Sequence, residues 1–209
     1  MLTHLNAEFA QLRPGLWIWH SHDPSIKTDL FSAAIAIRSG VYMVDPIPLA
    51  KPDLAALVQN GPIIAIIVTN ANHQRGALEY SEGLSVPVLG HPQTLAAIKP
   101  TRSDDIYAIE SKAEFEVIEI EGAVAGEIAL YHRANGGTLI VGDALINLDS
   151  YGFTFLPRKY CLNQNQMRNS LSKLLSLSVE RILFAHGPPI LSGASAQLQQ
   201  LLQVDFSRR

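Results

Sequence analysis

The stretch of this sequence with the most chemical potential is NANHQR at positions 70–75, which directly follows the apolar run IIAIIV at positions 63–68. Polar residues beyond the end of a buried strand often form ligand sites in α/β proteins. Imidazole is a strong zinc ligand, whereas amide oxygens suit harder cations such as calcium. A guanidinium is a permanent cation. The stretch therefore has the position of a metal site but few of the side chains that bind metal ions.

The elements that must position this stretch follow from the hydrophobic pattern. Strands are predicted where apolar residues alternate or run without interruption, and helices where they recur every three to four residues. Arg38-Ser39-Gly40 and Asn135-Gly136-Gly137 read as tight turns between strands. The strands are expected within 16–22, 31–46, 62–70, 86–90, 115–122, 126–146 and 181–187, and the helices within 51–60, 75–84, 92–99, 163–178 and 193–204. This order predicts two sheets sandwiched between helices.

Composition narrows the class of protein. The 209 residues are 47% apolar and 17% charged, which suits one globular domain spanning 1–209. A net charge of −3 offers no basic surface for a phosphate backbone, so no nucleic-acid partner is expected. No apolar run approaches the roughly 20 residues that span a bilayer, and the first residues lack a signal-peptide pattern. A cytoplasmic protein without a membrane partner is predicted, and a homo-oligomer is left open.

Several short motifs, taken in order, resemble the metallo-β-lactamase superfamily, which includes glyoxalase-II-like hydrolases, lactonases, lactamases and nucleases. They are VYMVD ending at Asp45, the strand end at Thr69, GDAL at 142–145 and AHG at 185–187. The resemblance extends from about Leu16 to Val204. It implies an α+β fold, a four-layer αββα sandwich in which the strand ends at Thr69, Gly142 and Ala185 converge on one cleft.

The same resemblance implies a degenerate metal centre. The family pattern after Thr69 is Thr-His-x-His-x-Asp-His, and this chain has Asn70, Asn72, Gln74 and Arg75 at the four ligand positions. A later family histidine corresponds to alanine, at Ala123. Only the bridging aspartate, Asp143, and the late histidine, His186, keep their ligand type. The Arg75 cation, about 4 Å from a second divalent ion, would repel that ion by several kcal/mol. A two-metal centre is therefore not expected.

Two residues, His73 and Arg75, keep alternative interpretations, whereas Asp45 has a single one. His73 falls between two family ligand positions; turned inward, it would complete a three-ligand site with Asp143 and His186, and otherwise it is structural. Arg75 is expected either to pair with Asp143, or with another acid of the same pocket, or to point to solvent at a helix start. Asp45 is expected to order nearby loops in either case.

The predicted function is a superfamily member that lacks two-metal hydrolysis and acts as a small-molecule-binding or regulatory relative. Its predicted binding cleft contains Asn70, Asn72, His73, Arg75, Asp143 and His186. The alternative is a hydrolase with a single atypical metal around Asp143 and His186, so enzyme activity is left open. No cofactor is expected in the first case, and one zinc, iron or manganese ion in the second. The segment 150–161 forms either a substrate wall or a packed connection, with Cys161 as a packed thiol.

Overall fold

The computed structural model describes residues 7–109, 115–148 and 150–206. The chain divides into two compact units, Met1–Ile106 and Tyr107–Arg209. In the part of the chain that is described, no helix is long and apolar enough to cross a membrane. Each unit combines a β-sheet with α-helices, so the predicted α+β class is confirmed.

The first unit is built on a seven-stranded sheet whose strands are neighbours in chain order. The first four strands pair antiparallel and the last four parallel. The strands are β1 (Glu8–Arg13), β2 (Leu16–Asp23), β3 (Thr28–Ile37), β4 (Gly40–Val44), β5 (Ile63–Val68), β6 (Val88–Gly90) and β7 (Ser103–Asp105). The parallel strands are joined through α1 (Lys51–Val58), α2 (Ala77–Leu84) and α3 (Pro92–Ile98).

The core of the first unit forms where apolar side chains of the sheet meet those of the helices. Trp19, Met43 and Ile66 are fully buried and belong to one cluster with Leu57 and Tyr80 of the helices. Consecutive residues of β5 are buried on both sides of the strand, which explains why its sequence is apolar without alternation. The predicted turn between β3 and β4 is confirmed.

The second unit contains a four-stranded sheet and a separate hairpin. The sheet order is β13-β10-β9-β8, and β11 pairs with β12. The strands are β8 (Phe115–Glu119), β9 (Ile128–His132), β10 (Thr138–Val141), β11 (Leu145–Leu148), β12 (Gly152–Phe155) and β13 (Arg181–Phe184), and the helices are α4 (Gln164–Leu171) and α5 (Ala194–Phe206). The predicted turn at Asn135-Gly136-Gly137 joins β9 to β10 as expected.

Two apolar residues that fall within the predicted helices 51–60 and 163–178 are exposed. Leu175 is 42% exposed and Val58 is 43% exposed. The helix predicted over 163–178 ends at Leu171 and continues as a 3-10 turn, Ser172–Ser176. A 3-10 turn has three residues per turn, so a residue four positions on no longer shares a face. Leu174 therefore stays in the core while Leu175 turns outward. Val58 is the last residue of the short helix α1, next to the fully buried Leu57.

Candidate functional site

Asp45 anchors the loop that follows β5. Strands β4 and β5 are parallel, with Val44 opposite Ile67, so their carboxyl ends lie at one edge of the sheet. One oxygen of the buried Asp45 carboxylate, Oδ1, accepts the backbone N–H of Thr69 at 2.8 Å. The other, Oδ2, accepts the Thr69 hydroxyl. The expectation that Asp45 orders a nearby loop is confirmed.

His73 turns toward Asp45. It ends the 3-10 turn Ala71–His73, and only 2% of its surface is exposed. Its Nδ1 lies 3.0 Å from Oδ2 of Asp45 and 2.8 Å from the Thr69 hydroxyl oxygen. A carboxylate only accepts hydrogen bonds, so Nδ1 carries the proton in this pair. In the neutral imidazole, Nε2 is then the nitrogen with the lone pair.

The environment of Asp45 keeps its side chain ionised. Burial by itself raises the pKa of this carboxyl group. The charge of His73 and the hydrogen bond from its ring oppose that effect, as do the charge of Arg75 and the hydrogen bond from Thr69. The net result is a pKa for Asp45 below its usual value. A buried carboxylate is tolerated because several donors satisfy it.

The two asparagines of the stretch support the local backbone. Asn70 is completely buried, and its side chain accepts the backbone N–H of Asn72 at 2.9 Å. It thereby caps the 3-10 turn that ends at His73, as asparagine commonly does at helix starts. Asn72 itself is exposed. The side chain of Asn70, at the first family ligand position, is thus hydrogen-bonded to the backbone of the loop.

Arg75 is held against the backbone of the first unit. Its Nη1 donates to the carbonyl oxygen of Phe31 and, at 3.0 Å, to that of Asp45. Of the alternatives for Arg75, the one in which it points to solvent is therefore wrong. Pairing between Arg75 and Asp143 would join the first unit to the second and stays a prediction. The charge of Arg75 contributes to lowering the pKa of Asp45.

Asp143 and His186 lie together in the second unit. Strands β10 and β13 are parallel, with Val141 opposite Phe184, so the two side chains follow adjacent strand ends. The distance between Oδ1 of Asp143 and Nε2 of His186 is 3.3 Å, and the side chains are 11% and 16% exposed. A carboxylate and an imidazole, both largely shielded from water, thus form one polar pair.

Glu127 is a buried acid whose role was missed at the level of sequence. It is 3% exposed, and its Oε1 accepts the backbone N–H of Ala144 at 2.9 Å. This bond fixes the backbone next to Asp143. The signal in the sequence was a glutamate directly before the apolar run IALY of β9, since an acid at the start of a buried strand needs a partner.

The segment 150–161 is partly strand and partly exposed loop. The backbone N–H of Leu156, just after β12, donates to the carbonyl of Ala144 at 3.1 Å. The segment is thus bonded to the residue that follows Asp143 in the chain. Tyr151 and Tyr160 are 71% and 59% exposed. Burial raises the pKa of the Cys161 thiol, in keeping with a packed side chain. The choice between a substrate wall and a connection remains a prediction.

Some residues of the candidate site are of types that bind metal ions, but the stretch 70–75 does not suit a two-metal centre. His73, Asp143 and His186 each offer one atom that could bind a metal ion. His73 belongs to the first unit and the other two to the second, so the three-ligand set stays a prediction. The side chains of Asn70 and Arg75 are engaged with backbone groups. The donor set at positions 70–75 therefore does not fit a two-metal centre.

Comparisons with known proteins agree on the family. A family model described as the metallo-beta-lactamase superfamily matches residues 10–204. A metallo-beta-lactamase from Erythrobacter litoralis, with beta mercaptoethanol in its active site, has a TM-score of 0.75 at 16% identity, covering 95% of this chain and 96% of that one. A metallo-beta-lactamase from Pontibacter korlensis has a TM-score of 0.71 at 15% identity, covering 95% and 99%.

A third similar structure is FIM-1 from Pseudomonas aeruginosa in its mono-zinc form. Its TM-score is 0.66 at 12% identity, and the match covers 95% of this chain and 96% of that one. At such identities the likeness concerns the fold. No curated protein matches the sequence significantly.

Proposed function

Because the chain belongs to the metallo-β-lactamase superfamily, we propose that it binds a small polar molecule and does not carry out two-metal hydrolysis. In this proposal it is a binding or regulatory relative of the glyoxalase-II-like hydrolases. The binding cleft includes the retained pair Asp143 and His186, together with the loop residues Asn70, Asn72, His73 and Arg75.

The hydrogen bonding of Arg75 carries this proposal. Arg75 stands where the superfamily has a metal-binding histidine, and its guanidinium is bound to the carbonyls of Phe31 and Asp45. A guanidinium has no lone pair to offer a metal, and it stays charged throughout the physiological pH range. Two-metal hydrolysis depends on a metal-bound water as the nucleophile, so replacement of a ligand by this cation removes the basis of that chemistry.

The pair Asp143 and His186 supports retained binding. The two side chains follow adjacent parallel strands, at the edge where α/β folds bind ligands. They are largely buried yet keep some exposure, and together they offer hydrogen-bond acceptors and a donor. A small molecule with both polar donors and acceptors matches this arrangement.

Metal content and turnover test the proposal together. We expect protein purified without chelator or affinity tag to contain well under two transition-metal ions per chain by elemental analysis. We also expect no hydrolysis of thioester, lactone or β-lactam substrates above the uncatalysed rate. Two metals per chain with turnover of any of these classes would refute the proposal.

A ligand screen tests whether the protein binds a small polar molecule, as proposed. Polar small molecules that bind the folded protein and not the unfolded chain raise its melting temperature, by an amount that grows with the ratio of ligand concentration to dissociation constant. We expect at least one to stabilise the wild type and to lose this effect in the Asp143→Asn, His186→Gln double variant. Glu116→Gln with His22→Gln, two exposed positions, is the matched control and should keep the effect.

A single-metal hydrolase is the second candidate, favoured by the 3.3 Å proximity of Asp143 and His186. Carboxylate and imidazole are both zinc ligands, and three protein ligands are usual at catalytic zinc. His73 is the third ligand in this hypothesis. When bound, a metal would supply an activated water. One metal per chain, lost in Asp143→Asn and in His186→Gln but kept in the control variant, would favour this candidate.

The remaining proposals concern location and partners. We propose a cytoplasmic protein that binds neither nucleic acid nor membranes, supported by the net charge of −3 and by the single cysteine. Fractionation of cells that produce the untagged protein tests the location. Recovery in a membrane or secreted fraction would contradict it.

A further inference from the structure

Several hydrogen bonds join the segment after β4 to the loop after β5, all within the first unit. The carboxylate of Asp45 holds the backbone N–H and the hydroxyl of Thr69. The guanidinium of Arg75 donates to the carbonyl of Asp45. The backbone N–H of Gly76 donates to the carbonyl of Pro46 at 2.9 Å. Both ends of the loop 69–76 are thus tied to the two residues that follow β4.

Along this connection the buried carboxylate of Asp45 lies close to an imidazole and to a guanidinium. The carboxylate of Asp45 is buried, with the imidazole of His73 at 3.0 Å from one of its oxygens. The guanidinium of Arg75 binds the backbone carbonyl of the same residue. Both side chains therefore stabilise a carboxylate that would otherwise be an uncompensated buried anion.

The backbone shows that this connection holds unusual conformations. Asp45 has a φ of 47° and Arg75 a φ of 41°, both in the left-handed region that side chains other than glycine rarely adopt. Such residues persist only where surrounding interactions fix them. The hydrogen bond from the Arg75 guanidinium to the Asp45 carbonyl links one of these residues directly to the other.

We infer that Asp45, His73 and Arg75 form a metal-free clasp, in which the protein's own hydrogen-bond donors, the His73 imidazole and the Arg75 guanidinium, order the loop 69–76. We use "clasp" for these three residues and their bonds to Thr69 and Phe31. In the superfamily pattern this loop carries metal ligands, and bound metal contributes to holding such ligands in place. Here a guanidinium, which keeps its charge and cannot be removed by a chelator, occupies one of those positions.

Hydrogen exchange on the wild-type protein tests the clasp without any mutation. Amides of residues 69–76 should exchange equally slowly in protein treated with EDTA and in protein supplied with zinc. The melting temperature should differ by less than about 1 °C between the two samples. Faster exchange of this loop after chelation, or clear protection by zinc, would overturn the inference.

The variant Arg75→Met tests the contribution of the guanidinium. It removes two hydrogen bonds to carbonyls and one compensating charge, so exchange should accelerate in residues 45–47 and 69–76. The melting temperature should fall by about 5–10 °C, and zinc should not restore it. Arg38→Met, an exposed arginine in the turn between β3 and β4, is the matched control and should leave both readouts unchanged.

A second variant keeps the test decisive if Arg75→Met does not fold. Arg75→Lys retains the charge but loses the planar fork of donors, so it should show intermediate exchange of the loop. Unchanged exchange in both variants would refute the clasp. This outcome is distinguishable from failure of the proposed function, because the clasp is measured by loop protection and the function by ligand binding and turnover.

Discussion

Asp45 is the residue on which the candidate loop depends most. Three donors converge on its carboxylate, from the Thr69 backbone, the Thr69 hydroxyl and the His73 ring. None of these donors has water as an alternative, since Asp45, Thr69 and His73 are all buried. The superfamily resemblance identified the position of this aspartate, while its contact with His73 became visible only in the structure.

Replacement of Asp45 by asparagine should destabilise the protein strongly. One carboxylate oxygen becomes an NH₂ group that faces at least one of these donors, so a buried hydrogen-bonding group loses its acceptor. We expect the free energy of unfolding to fall by about 2–4 kcal/mol, measured by urea denaturation. Asp104→Asn is the control, because Asp104 is exposed in the same unit. A loss below about 0.5 kcal/mol would show that the carboxylate is dispensable.

Cys161 provides a residue-level test that involves pH. Burial raises the pKa of its thiol, and the thiolate is the reactive form. We expect iodoacetamide to alkylate the native protein at pH 8 several-fold more slowly than it alkylates the unfolded protein. The rate should keep rising above the pH at which an ordinary cysteine levels off. Alkylation at equal rates in native and unfolded protein would contradict a packed thiol.

At the scale of elements, close approaches of the backbone constrain the second unit. Gly137 closes the turn between β9 and β10 with a φ of 88°, and a Cβ atom there would lie 2.0 Å from the carbonyl oxygen of Ser178. No side chain fits without displacing the segment that leads into β13. The turn therefore requires glycine for space as well as for conformation.

The variant Gly137→Ala should cost more than conformation alone explains. Gly152→Ala is the matched control, because Gly152 also has a positive φ, 65°, but no atom within 4 Å of the added Cβ. The control should lose about 1–2 kcal/mol of unfolding free energy from the left-handed conformation. Gly137→Ala should lose at least about 2 kcal/mol more. Equal losses in denaturant unfolding would mean that the Ser178 segment adapts freely.

The change from α-helix to 3-10 turn after Leu171 gives a second test at this scale. Leu174 is fully buried and Leu175 is 42% exposed. Leu174→Ala should lower the free energy of unfolding by about 2–5 kcal/mol, as core leucines do. Leu175→Ala should lower it by less than about 1 kcal/mol. Comparable losses would instead support a continuous α-helix over this segment.

At the scale of the whole molecule, the net charge predicts that the protein does not bind nucleic acids. The net charge is −3 and the isoelectric point about 6.1, so the chain as a whole repels polyanions at neutral pH. We expect no change in the fluorescence anisotropy of labelled DNA or RNA at micromolar protein and low salt. Binding that weakens steeply as salt increases would contradict this, because it would reveal a basic surface.

The order of elements and the superfamily could be predicted from the sequence because both rest on local signals. Apolar periodicity placed the strands around Ile66 and Ile182, and glycine-containing turns placed the hairpins. Short motifs at strand ends pointed to Asp45, Asp143 and His186. The exceptions, Val58 and Leu175, lie at or beyond a helix end, where one residue of rotation changes the face.

The tertiary structure alone decided how the polar residues are used. His73 meets Asp45 from 28 positions away, and Arg75 reaches the carbonyls of Asp45 and Phe31 from 30 and 44 positions away. These contacts depend on the parallel register of β4 and β5 and on two left-handed residues, neither of which leaves a periodic pattern in the sequence. A side chain's type limits which bonds it can form, but the partner is set by which backbone the fold brings within about 3 Å.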